Sequence, residues 1–193
     1  MSSPARSLAQ IAIFAALIAV LGLIPAFTPP GMPVPITVQT MGVMLAGAIL
    51  GSRKGFAAVV LFLALVAIGL PLISGGRGGL GIFVSPSVGF FLAWPFSAFI
   101  IGWLTERRGA PYRIGWGILD NVIGGIVFMY VIGTIGIMVV TKMSLPAAIA
   151  ATAIFIPGDI VKAVLAALIA KPVHAAYPGL LKPRDRARDE VSV

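Results

Sequence analysis

Apolar residues along this chain do not alternate with polar ones. They run in long unbroken stretches, over 8–24, 37–50, 55–70, 87–104, 114–140 and 145–170. A helix needs about 20 such residues to cross a bilayer, whereas soluble strands and amphipathic helices show period 2 or 3.6. The pattern therefore predicts an all-α integral membrane protein with six transmembrane helices. Pro25, Gly51-Ser52-Arg53-Lys54, Pro71, Glu106-Arg107-Arg108 and Lys171-Pro172 punctuate the stretches. The second stretch is short for a crossing, which needs local thinning or help from its flanks. The first has only Arg6 ahead of it and no small-x-small cleavage site, so it is expected to stay in the mature protein. One transmembrane domain over 1–176 and a polar tail over 177–193 follow.

Composition narrows the classes. Residues from the set AVILMFWYC make up 59% and charged residues 10% of the 193. Soluble domains carry about 45–50% apolar and about 25% charged residues, and disorder needs still less apolar content. The net charge of +8 reads as topology rather than as a nucleic-acid surface. Alternate loops and both termini collect Arg6, Arg53, Lys54, Arg107, Arg108, Arg113, Lys171, Lys182, Arg184, Arg186 and Arg188, which is 11 of the 14 cations. Arg77 and Lys142 fall on the other side. That bias predicts six spans with both termini in the cytoplasm. Cysteine is absent and His174 is the single histidine, which argues against disulfides, a zinc site or a cysteine nucleophile. No P-loop and no internal repeat is visible, so neither an ATPase nor an inverted-repeat secondary transporter gains support. An enzyme is not expected.

Both long outward connections are unusual. Residues 25–36 hold five prolines, which predicts a stiff extended segment, either a rigid connector or a preformed lid. Residues 73–86 hold five glycines around Arg77, either a flexible turn or a backbone cradle for an anionic group. Ionisable residues inside spans usually face an interior or a wet cavity. Asp159 and Lys162 are spaced i, i+3 after Pro157-Gly158 and share one helix face. They are either a structural ion pair or a polar clamp for a ligand. Asp120-Asn121 lies toward the other side and suits a structural or coupling role. Gln39, with Thr37 and Thr40, starts the second span and offers donor and acceptor. Trp94, Tyr130, Phe90 and Phe91 are either cavity wall or packing. Ala12 and Ala16 set small-xxx-small spacing on the first span, which permits close approach of another helix.

Together Val34-Pro35-Ile36-Thr37-Val38-Gln39-Thr40, Gly75-Gly76-Arg77-Gly78-Gly79-Leu80-Gly81 with Ser85-Pro86-Ser87-Val88-Gly89-Phe90, and Pro157-Gly158-Asp159-Ile160-Val161-Lys162 resemble the BioY family. These are the biotin-specific substrate-binding (S) components of energy-coupling factor transporters. The resemblance covers about residues 8 to 178. It implies the six-helix S-component bundle with a biotin pocket near the outward face, in the cytoplasmic (inner) membrane of a prokaryote. Carried over by position, Thr37, Gln39, Gly75, Gly76, Arg77, Gly78, Gly79, Phe83, Asp159 and Lys162 would bind substrate. Asp159 and Lys162 would meet the ureido ring and Arg77 the carboxylate. The family's Gly-Pro-Thr-Gly-Gly-Tyr-like sequence stands here as Ser85-Pro86-Ser87-Val88-Gly89-Phe90, which leaves no tyrosine hydroxyl at 90. Ala12 and Ala16 would dock a transmembrane coupling subunit, itself driven by ATPase subunits, although family members also work alone. Biotin would be the transported ligand and no resident cofactor or metal is implied. The rival readings are an S component for thiamin or riboflavin and a stand-alone secondary transporter; self-association into a homo-oligomer stays open beside any of these.

Overall fold

The computed structural model describes residues 3–182. Among them there are helices and no strands. The order is α1 (Pro4–Leu21), α2 (Gln39–Leu50), α3 (Ser52–Ala67), α4 (Val88–Arg108), α5 (Ile114–Val122), α6 (Met129–Thr141), α7 (Leu145–Ala153) and α8 (Ile156–Ala176). A π-helical turn over Ile123–Phe128 joins α5 to α6 without a break, giving one rod over Ile114–Thr141. Such a turn carries one residue more than an α turn and re-aims everything after it.

Three of these helices are long and apolar enough to cross a membrane, or four if the bent pair α7 and α8 counts as one span. The expected second span has a physical reason for being short. α2 has 12 residues, nine of them buried, and its neighbours α3, α4 and α8 enclose it. At about 1.5 Å per residue it spans about 18 Å, well under the roughly 30 Å of a hydrocarbon core. A helix apolar on all sides belongs to a protein interior, and α2 is one. α1 is the opposite case, since only Ala15 and Ile18 are buried.

α4 runs through the centre, against α2, α3 and α6. Its approach to α6 depends on Gly89, where an added Cβ would run into Ile132 O and come within 2.9 Å of Gly136 Cα. At the basic end Glu106 of α4 caps α3, accepting from Ser52 N at 2.9 Å and Ser52 Oγ at 2.7 Å. A carboxylate there satisfies an orphan donor and the positive end of the helix dipole together.

Three expectations need correction. The sixth stretch is not one rod over 145–170. It is two helices meeting at 49° before Pro157, and α8 continues past Lys171-Pro172 to Ala176. Pro172 forfeits one backbone bond, but Ala170 and His174 are buried nearby and His174 Nε2 lies 2.8 Å from Ala48 O, which holds the last turn. The proline segment is not extended. Phe27 and Ile36 exchange both backbone hydrogen bonds, at 3.1 and 2.8 Å, closing a small hairpin. Lastly, the start of the polar tail packs on the bundle, with Leu181 buried and Ala110 N donating to Lys182 O at 2.9 Å. The rest of that tail, with Arg184, Arg186 and Arg188, lies outside the described residues.

Candidate functional site

The proline-rich and glycine-rich connections and the N-terminal parts of α2, α4, α6 and α8 surround a cavity of about 520 Å³, its open mouth included. The hairpin supplies Val34, Pro35 and Ile36, the glycine loop supplies Ile73 and Arg77, and Phe90, Phe91, Trp94, Met129 and Phe155 form an apolar wall. The rings lock one another in edge-on contacts, Phe91 on Trp94 at 5.2 Å and Phe90 on both Tyr130 and Phe155 at 6.3 and 6.1 Å. Edge-to-face pairs of this kind hold a wall in one shape.

One polar cluster breaks this wall. Lys162 Nζ donates to Asp159 Oδ1 at 2.6 Å, to Thr37 O at 2.6 Å and to Thr40 Oγ1 at 3.2 Å. Tyr130 Oη donates to Asp159 Oδ2 at 2.6 Å, and Thr40 Oγ1 lies 3.4 Å from Oδ1. The ammonium thus spends its three donors inside the protein, while the carboxylate, which accepts from Lys162, Thr40 and Tyr130, keeps about one of its roughly four lone pairs. This end of the cavity accepts hydrogen bonds. Trp94 Nε1 is buried without a partner, and Arg77 uses only Nε, toward Ser74 O at 3.3 Å. Both line the cavity and both are donors.

The residues expected from the sequence divide accordingly. Asp159, Lys162, Thr37, Gln39 and Arg77 come together on the cavity, with Thr37 contributing its backbone carbonyl to Lys162. Gln39 touches the cavity but its amide is saturated elsewhere. Its Nε2 donates to Ile18 O and Leu72 O, both at 3.0 Å, and its Oε1 accepts from Ser74 N and Ser74 Oγ at 3.0 and 3.3 Å. Gly75, Gly76, Gly78 and Gly79 are not among the lining residues. They shape the loop instead: Ile73 and Arg77 pair by backbone across Gly75 and Gly76, whose φ angles are 85° and 68°. That tight reversal aims Arg77. Phe83 stands one layer back, 6.5 Å from Phe91. Ala12 and Ala16 are exposed on α1, away from the cavity. Asp120 sits at the basic end, held by Arg108 Nε at 2.9 and 3.0 Å. Tyr130 is the residue whose role the sequence left undecided. Its only signal was a lone hydroxyl in an apolar span.

A family model described as the BioY family matches residues 1–179. The chain belongs to the BioY family. Every residue lining the cavity falls inside the BioY match. A protein of Rhodobacter capsulatus named "Biotin transporter BioY" is 48% identical over 189 residues, covering 93% of this chain and 98% of that one. Another so named from Rhizobium etli is 46% identical over 179 residues, covering 90% and 95%. The crystal structure of the S component for biotin from an ECF-type ABC transporter superposes with a TM-score of 0.84 at 32% identity, covering 91% of this chain and 95% of that one. The BioY resemblance read from the motifs is therefore borne out, and with it the all-helical bundle.

Proposed function

We propose that this protein is a transporter subunit, not an enzyme, and that it captures biotin for uptake across the cytoplasmic membrane of a prokaryote. The observation that carries this is the split polarity of the cavity. The acceptor left on Asp159 suits a ureido N–H group, an apolar aromatic wall suits the thioether ring, and donors at Arg77 and Trp94 suit a carboxylate. Thiamin brings a fixed positive charge and riboflavin a flat tricyclic ring, and neither asks for that order of groups. The names of the relatives support the same ligand.

The loop charges support six crossings with both termini in the cytoplasm and the cavity facing outward. In that topology residues 1–176 are the substrate-binding domain and 177–193 a cytoplasmic tail. No chain segment among the described residues supplies an ATP site, so uptake coupled to ATP requires other subunits. α1 suits that contact, because Ala5, Ala9, Ala12 and Ala16 are all exposed along one side and leave room for a close-packed helix. The likeness to an S component points to a coupling subunit and ATPase partners.

Equilibrium binding of labelled biotin to the purified protein, competed with thiamin and riboflavin, tests the ligand. Tight biotin binding that excess thiamin and riboflavin leave intact is expected; displacement by either vitamin would reassign it. For docking, Ala12→Trp or Ala16→Trp is expected to block uptake in cells and leave biotin binding unchanged.

A further inference from the structure

The basic end of the bundle holds a second, separate cavity, of about 970 Å³ with its mouth included. The connection between α4 and α5 forms it, and its walls carry Thr105, Arg107, Arg108, Tyr112, Arg113 and Trp116. The charges there do not cancel. Arg108 is committed to Asp120, while no carboxylate among the described residues pairs with Arg107 or Arg113. One hydroxyl of the wall, Tyr112 Oη, is buried without a hydrogen-bond partner, while the buried Thr105 hydroxyl is placed to donate to the Asp120 carboxylate. Burial, with Asp120 close by, pushes the Tyr112 phenol well above its ordinary pKa, so it stays a neutral donor. Two unpaired cations and one unspent hydroxyl around one space are a site for an oxyanion.

The surroundings say which oxyanion. Arg107 lies over the Trp103 ring and Arg108 over Trp116, each at 3.9 Å, and both indoles are partly exposed. Indoles so placed mark the boundary between headgroups and acyl chains. From Trp116 an exposed apolar track runs along the rod through Leu119, Ile123 and Val127. We infer that this cavity binds the phosphate of an anionic phospholipid from the surrounding leaflet, with an acyl chain lying along that track. Basic pockets between helices recognise anionic headgroups in this way.

The test is native mass spectrometry of the full chain in detergent, with phosphatidylglycerol and phosphatidylcholine of matched acyl chains. Retention of phosphatidylglycerol over phosphatidylcholine by about tenfold is expected. Arg107→Gln with Arg113→Gln should cut that preference to under about threefold, with an unchanged melting temperature. Arg113→Gln alone, at an exposed side chain, keeps the test decisive if the double variant fails to fold. Equal retention of the two lipids, or an undiminished preference in the variants, overturns the inference. So does displacement of phosphatidylglycerol by millimolar inorganic phosphate, which would make this a site for soluble phosphate.

Discussion

The described residues hold two ion pairs, one toward each end, and they differ in what lies beside them. Arg108 and Asp120 join two helices, and Arg108 Nε lies near both carboxylate oxygens while its terminal nitrogen reaches Oδ1 at 2.8 Å. That geometry is closed on itself. Asp159 and Lys162 sit on one helix, and their side chains are 6% and 12% exposed. There the lysine is fully engaged by protein oxygens while the carboxylate is not, and the pair faces a cavity. In a span, both read as charges that need an excuse. What separates a binding site from a staple is the aromatic-walled cavity beside it, with Arg77 and Trp94 as further donors.

Four substitutions probe that difference. Lys162→Ala removes one partner and leaves a buried carboxylate uncompensated, a loss of about 3–5 kcal/mol. Biotin binding is expected to vanish, as read by isothermal titration on whatever fraction folds. Asp120→Asn strikes the other pair. The expected result is a melting temperature lowered by several degrees, for a loss of about 1–3 kcal/mol, with the biotin Kd within about threefold of the parent. A large loss of affinity there would erase the distinction between the two ends. Tyr130→Phe deletes one hydrogen bond to Asp159, and about 1 kcal/mol, or fivefold in Kd, is expected. Arg77→Gln is expected to weaken biotin by a similar factor of about five to ten while leaving an amide of biotin unaffected. If both ligands weaken equally, Arg77 shapes the loop and does not read the carboxylate.

The signals legible in the sequence were local ones. Asp159 and Lys162 are three residues apart, so helix geometry alone puts them on one face. The helical class followed from unbroken apolar runs, and the two long loops announced themselves by proline and glycine. What escaped depended on pairing across the chain. Tyr130 meets Asp159 only because the π turn and the close α4–α6 packing carry it there. No local pattern says that a proline-rich stretch will pair Phe27 with Ile36, or that Gln39 will find Leu72 and Ser74. The stretch 145–170 read as one span because the sequence offers no polar residue at 154–155 to mark the break between α7 and α8.

The saturated amide of Gln39 has a mechanical consequence. It joins the end of α1, through Ile18, to the loop that carries Arg77, through Leu72 and Ser74. Gly22 leaves the room for it, since a Cβ there would come within 2.7 Å of Nε2. One of its four hydrogen bonds, from Nε2 to Ile18 O, would have to break before α1 could slide against that loop, at about 1 kcal/mol. The least buried of the long apolar helices and the rim of the cavity are therefore tied to each other through a single side chain. Gln39→Ala would untie them without touching Asp159, Lys162 or Arg77.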